Sequence, residues 1–194
     1  MGAGTGFLAL LLARQGYEVT ALDLSPGMLS RLQEKAGATG LAIRTIQGDA
    51  GSPPLDDFDA VVERHLLWTL PDPAAALEAW ERSAPMGRLM LLESLWGKEA
   101  GPLEQVRRQC HALARHWRHE PPDHHREYGT DLRGQLPLGH GATPEQLVAL
   151  VEASPWGDAH VQRLREVEWA TRRSLPSAWD RLIGVAPRFA VLAR

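Results

Sequence analysis

Apolar and polar positions change period several times along the chain, and the changes mark its elements. In "GFLALLLARQG", Leu8, Leu11 and Leu12 recur at helical intervals, and the pattern stops at Gly16, a residue suited to the position just past a helix end. "YEVTALDLS" is a short β-branched run that ends on an aspartate. "SPGMLSRLQEKAG" then reads as a helix with Ser25 at its N-cap and Pro26 at its first position. "LAIRTIQGDA" and "FDAVVERHLLWTL" predict further strands, "PDPAAALEAWERSAP" a helix with Asp72 near its start, and "GRLMLLES" another strand. Strands alternating with helices of this length indicate βαβ units, hence an α/β class with a mostly parallel sheet and helices on both faces.

The pattern changes character at about Trp96. "KEAGPLEQVRRQCHALARHWRHE" predicts a long helix and "PPDHHREYGTDLRGQLPLGHGA" an irregular stretch, so residues 96–142 read as a helical and irregular lid or substrate-covering insertion. "TPEQLVALVEAS" is a helix with Thr143 as N-cap and Pro144 at its first position. "DAHVQRLREVEWA" alternates like a strand, "RFAVLAR" reads as the last one, and "TRRSLPSAWDRLIGVAP" between them reads as connection with about one helical turn.

Composition narrows the partners. The chain has 194 residues, enough for one domain with a substantial core, and a formal net charge of -3, which argues against a nucleic-acid partner. Cys110 is the only cysteine, which excludes an internal disulfide and a multi-cysteine metal site and fits a reducing cytoplasm. No apolar run approaches the roughly 20 residues of a membrane span, and "FLALLLA" lacks a basic leader, so a soluble, cytoplasmic protein is expected. The histidines at 111, 116, 119, 124, 125 and 140 lack the spacing and companion ligands of a metal site, so no metal is expected there. Trp68, Trp96, Trp117, Trp156, Trp169 and Trp179 read mostly as packing residues. Trp96, Trp117 and Tyr128 flank the lid as candidates for an apolar, aromatic acceptor pocket.

Candidate chemistry sits at the carboxyl ends of the strands, where open α/β sheets bind ligands. Gly2, Gly4 and Gly6 permit close backbone approach, and the helix beginning near Phe7 aims its free N–H groups into the turn. The spacing fails the dinucleotide pattern G-x-G-x-x-G, whose third glycine would fall at Phe7, which disfavours a nicotinamide-dependent oxidoreductase. Asp23 ends the next strand and is placed to accept both hydroxyls of a ribose. Asp49 follows the strand after that, where its carboxylate and the Ala50 N–H suit the edge of an adenine. Each alone reads equally well as a turn or cap residue; in this order the three reinforce one another.

With these residues in place the chain resembles the class I S-adenosylmethionine-dependent methyltransferases from Gly2 to about Ser94, through "GAGTG", "ALDLSPGML", "IQGDA" and the segment running from "FDAVVERHLLWTLPDP" to "GRLMLLES". "RHLLWTLPDP" is most similar to the bacterial small-molecule branch that includes the C-methyltransferases of ubiquinone and menaquinone synthesis. The resemblance implies a Rossmann-like fold and S-adenosyl-L-methionine as cofactor. Gly2, Gly4, Thr5 and Gly6 would line its methionine part, Asp23 would hold the ribose, Leu24 and Met28 would flank the adenine, and Asp49 and Ala50 would read its edge. Arg64 and His65 would face the methionine end or the acceptor, with general base as the candidate catalytic role of His65. The implied organisation is one domain, with a cofactor-binding half at 1–95, the lid at 96–142, and a helix and strands at 143–194 that complete the sheet. The expected partners are a small-molecule acceptor, aromatic or apolar, and a second copy in a homodimer.

Two departures from the family pattern are local: Pro85, Met86 and Gly87 replace its Pro-Gly-Gly turn, and "EASPWGD" stands where an Ala-Gly-Phe-like turn is usual. A third is larger. The family's first strand, central in the sheet, would precede Met1, and the family's valine before the first glycine falls where Met1 stands; a GTG codon serves both readings. The expectation is an upstream extension carrying a helix and that strand. Otherwise, either the strands ending at Asp23 and near Arg64 pair directly or a partner chain fills the gap. The alternative function is a truncated or catalytically silent relative acting as an interaction module.

Overall fold

The computed structural model describes residues 1–54, 57–96, 133–175 and 177–194, with 102, 105–107, 109, 110 and 113 between them. Helix α1 (Phe7–Arg14) starts at Gly6, whose φ of 88° makes it a left-handed cap, and the chain turns at Gly16 into β1 (Val19–Asp23). Ser25 Oγ accepts from the Met28 N–H and starts α2 (Pro26–Ala38), which leads to β2 (Ile43–Gln47). β3 (Ala60–Arg64) is followed by a short 3-10 turn (Leu67–Thr69) and α3 (Pro73–Ser83), where Asp72 Oδ1 accepts from the Ala75 N–H at 3.0 Å. β4 (Arg88–Ser94) follows. Beyond residue 133 come α4 (Pro144–Glu152), β5 (Ala159–Arg163), α5 (Arg165–Ser174), α6 (Ala178–Ile183) and β6 (Arg188–Ala193). Thr143 and Gln146 close a reciprocal capping box at the start of α4.

The class is α/β, and the strands form two sheets. β1 and β2 pair in parallel, with Asp23 opposite Gln47. The second sheet has the order β3-β4-β6-β5. β3 and β4 are parallel, whereas β6 runs antiparallel between β4 and β5. No ladder joins β1 to β3 among the described residues, so the direct pairing weighed above does not occur. Residues 1–3 bridge the two sheets instead: the Ala3 N–H donates to the Leu22 carbonyl at 2.9 Å and the Met1 nitrogen to the Val62 carbonyl at 2.8 Å.

Each sheet has its own core. Ala9, Ala21, Leu32 and Ala36 close a small cluster on β1 and β2, while the larger one gathers Leu67, Leu77, Trp80, Leu89, Leu91, Val151 and Trp156 around β3, β4 and β6. Each fully buried leucine in these clusters contributes about 1.5–3 kcal/mol. The indole N–H groups of Trp80 and Trp156 are satisfied: Trp80 donates to the Ala50 carbonyl at 2.6 Å and Trp156 to that of Leu77 at 2.9 Å. At the Pro85-Met86-Gly87 turn Gly87 is sterically required, because a Cβ there would meet the Phe58 carbonyl oxygen at 2.8 Å.

Three readings of the pattern are corrected. "FDAVVERHLLWTL" stops being a strand at Arg64, because the backbone turns at His65 and Glu63 Oε2 takes the Leu66 N–H. "DAHVQRLREVEWA" stops at Arg163, since Leu164 caps α5 and Glu168 reaches back to Arg163 and to the Arg188 N–H. α5 and α6 then occupy the stretch read as connection. Trp68 and Trp156 are buried, but Trp169 and Trp179, on those two helices, are 60% and 57% exposed and pack in no core. His111, His116, His119, Trp117, His124, His125 and Tyr128, with most of the expected lid, lie outside the described residues. No helix among the described residues is long and apolar enough to cross a membrane.

Candidate functional site

The site is built where the glycine turn meets the ends of β1 and β3. Gly2, Gly4 and Gly6 have φ values of 59°, 53° and 88°, in the left-handed region that side chains disfavour. A Cβ on Gly6 would come within 2.6 Å of Leu32 Cγ and one on Gly2 within 2.8 Å of Leu66 Cδ1, so the turn is wedged between α2 and the chain leaving β3. At Gly4 the same position is open, with nothing within 4 Å. The turn is tied to β1 through one side chain: Asp23 Oδ2 accepts from the Gly4 N–H at 2.7 Å and Oδ1 from the Ser25 N–H at 2.9 Å. One backbone donor per oxygen leaves lone pairs on both for hydroxyl donors.

Around this clamp the sequence-derived residues fall in two groups. Leu24 and Met28 come to the end of β1 and stay exposed, Leu24 by 71%. Exposed apolar side chains beside a hydroxyl acceptor fit the face of a purine next to its ribose. The Thr5 carbonyl accepts from Lys35 Nζ at 3.1 Å. Asp49 is exposed, and its Oδ1 accepts from the Gly51 N–H at 2.8 Å, a local turn. Ala50 is buried, with its carbonyl on Trp80. The turn, Asp23 and the exposed Leu24 and Met28 thus present what an adenosine-bearing cofactor requires: positive-φ backbone that can approach closely, a hydroxyl acceptor and an apolar flank.

The second group lies at the end of β3. The Arg64 guanidinium stacks on the ring of Phe7, the first residue of α1, at 4.6 Å from its centroid. His65 follows with φ 57°, a left-handed conformation that is strained for a residue with a Cβ. Two buried carboxylates that local sequence reading missed hold it there. Glu63 is fully buried, accepts from the Leu66 N–H at 2.7 Å through Oε2, and leaves Oε1 without a hydrogen-bond partner among the described residues. Glu93, on neighbouring β4, places Oε2 2.8 Å from His65 Nδ1. Burial pushes both carboxyls up, to about 8, and Glu93 reinforces the shift of Glu63. Burial also lowers His65; Glu63 opposes that shift, while Arg64 and Arg188 add to it. The sequence signal was present: Glu63 shares the buried phase of β3 with Val61, and Glu93 that of β4 with Leu89 and Leu91. A carboxylate where alternation demands an apolar residue marks a polar site inside a core.

Beside Glu93, the ends of β4 and the start of α4 enclose a small pocket that includes Trp68, Ser94, Trp96 and Leu147, in which Trp68 and Trp96 meet edge to face at 4.9 Å. A larger open depression lies near Glu18, Val19 and Ile43, at the opposite ends of β1 and β2, away from all these groups. Among the described residues no cluster of three metal-ligating side chains occurs.

Part of the chain is similar to known methyltransferases. Residues 1–91 match the family model described as a methyltransferase domain. A demethylmenaquinone methyltransferase of Thermus thermophilus is 40% identical over 98 residues, covering 48% of this chain and 44% of the relative. A ubiquinone biosynthesis O-methyltransferase of Xylella fastidiosa is 34% identical over 96 residues, covering 47% and 39%. The chain therefore spans less than half the length of these relatives. In fold it is similar to magnesium protoporphyrin IX methyltransferase from Synechocystis, solved with bound SAH, with a TM-score of 0.60 at 14% identity over 100% of this chain and 71% of that one. Residues 1–91, which hold the glycine turn, Asp23, Glu63 and His65, are thus similar to a methyltransferase domain.

Proposed function

We propose that the chain binds S-adenosylmethionine across the ends of β1 and β2 and transfers its methyl group to a small-molecule acceptor by in-line displacement. The observation that carries this reading is the Asp23 clamp, in which one carboxylate holds the glycine turn and the start of α2 and keeps lone pairs for ligand hydroxyls. When bound, S-adenosylmethionine supplies a methyl carbon made electrophilic by the sulfonium. The protein's work is then to orient the nucleophile and exclude water. In this reading the backbone of Gly2, Gly4, Thr5 and Gly6 faces the methionine part, Asp23 accepts from the ribose, and Leu24 and Met28 flank the adenine. Gly48, hydrogen-bonded to the Asp23 carbonyl, brings Asp49 and Ala50 to the adenine edge, although the Asp49 carboxylate is already engaged with Gly51. Arg64, on Phe7, borders the methionine end, and His65 the acceptor side. The acceptor is small and aromatic or otherwise apolar, a reading supported by the Trp68 and Trp96 pair beside Glu93 and by the quinone-pathway names of the relatives.

Isothermal titration with S-adenosylmethionine and S-adenosylhomocysteine tests the binding. Saturable heat with both is expected; no heat and no thermal shift at millimolar ligand would reject the reading. A mass-spectrometric screen of extracted metabolites for methylated products then identifies the acceptor.

A further inference from the structure

We propose that Glu93 is the positioning residue for a basic His65 ring: its Oε2 takes the Nδ1–H and leaves Nε2 as the proton-accepting nitrogen at the end of β3. The role rests on the methyl-transfer reading above. Three contacts fix the ring and its backbone. Oε2 of Glu93 lies 2.8 Å from Nδ1, the His65 N–H donates to the Leu92 carbonyl at 3.2 Å, and the next N–H, of Leu66, is held by Glu63. The pair is graded in depth, since the Glu93 side chain is 6% exposed and that of His65 is 30% exposed. Nε2 makes no hydrogen bond among the described residues.

A purely structural role does not account for Glu93. Its neighbours in the same phase of β4, Leu89 and Leu91, are apolar and buried, and an apolar residue at 93 would serve packing without the desolvation of a carboxylate. What the carboxylate adds is a chosen tautomer and orientation for one histidine, as the buried aspartate does in hydrolase triads. In the transfer step, Nε2 takes the proton of an acceptor O–H, N–H or activated C–H as the new bond to the methyl carbon forms. The C–S bond of the sulfonium donor breaks with its electron pair remaining on sulfur. The charged groups that face the ring are Glu93 from β4, Glu63 and Arg64 from β3, and Arg188 from β6, with the Met1 nitrogen acting on Glu63. Because burial keeps a proton on Glu93 into the alkaline range, the form with a free Nε2 grows as pH rises through about 8. Below that, the pair holds an additional proton.

Long-range proton–nitrogen spectra of the full chain labelled with nitrogen-15 histidine read the tautomer directly. Above about pH 9, His65 is expected as the Nδ1–H form. Above about pH 9, diethyl pyrocarbonate, which acylates an unprotonated imidazole nitrogen, should modify His65 about tenfold more slowly in Glu93→Gln than in wild type, as read by peptide mass spectrometry. An Nε2–H tautomer in the wild type at high pH overturns the proposal, as do equal modification rates. If Glu93→Gln does not fold, the wild-type tautomer alone decides. Absence of S-adenosylmethionine binding would sink the methyl-transfer reading, whereas the wrong tautomer sinks the positioning role with that binding intact.

Discussion

The two sheets build their halves of the site from different materials. The β1–β2 half uses backbone: three positive-φ glycines, a helix start and one carboxylate that binds two N–H groups. The four-stranded half uses side chains, with Glu63, His65 and Glu93 brought together by adjacent parallel strands and held out of water. Backbone donors are suited to a cofactor whose shape is constant. Titratable side chains in a core are suited to moving a proton, because burial is what shifts them. The small cluster under β1 and β2 carries the first task, and the larger cluster bears the desolvation that the second requires.

The change expected to separate the halves most is Gly6→Ala. Its Cβ would meet Leu32 Cγ at 2.6 Å while the backbone stays at φ 88°. Strain and overpacking of about 2–3 kcal/mol should loosen β1 and β2 and lower S-adenosylmethionine affinity at least ~30-fold. Titration measures the affinity, and hydrogen exchange should show β4 and β6 still protected. Loss of protection there as well would show that the halves unfold together.

Glu63→Gln tests the other half through pH. A carboxyl held protonated to about 8 in the folded chain, but ionised from about 4.5 when unfolded, binds more protons in the native state between those values. Wild-type stability should therefore fall as pH rises from about 5 to about 8, with on the order of 1 kcal/mol lost per unit for each such group. The lowered His65 acts in the opposite sense, below its ordinary range. Glutamine retains an acceptor for the Leu66 N–H and cannot ionise, so urea midpoints of Glu63→Gln should decline less steeply with pH than wild type; parallel curves would refute the account. The smallest effect is expected at Thr143→Ala, which removes the α4 capping box and lies outside the glycine turn and the Asp23 clamp. It should lower stability by about 1 kcal/mol in urea unfolding and leave cofactor affinity unchanged.

Much of the fold was legible where its signals are local. Ser25, Asp72 and Thr143 each cap the helix that follows, and the glycines stand where the turn needs positive φ. The errors came where a longer-range partner decided. The strand through "AVVER" ends at His65 because Glu63 and β4 claim its backbone and ring, and α5 follows β5 because Glu168 finds the Arg188 N–H, 20 residues on. The exposed Trp169 and Trp179 contradict composition for the same reason. Hydrophobic character states what a residue gains by burial, and whether the fold brings a core to it is decided elsewhere.

By itself the sequence determined the α/β alternation and the helix starts, since each depends on residues within about one turn or one strand of one another, and it marked the glycine turn and Asp23 by their order at successive strand ends. Only the tertiary structure decided that the strands divide into two sheets, that residues 1–3 bridge them, and that Glu93 meets His65. Those contacts join positions 19 to 61 residues apart, and the hydrogen bonds and burial that make them are properties of the assembled sheet.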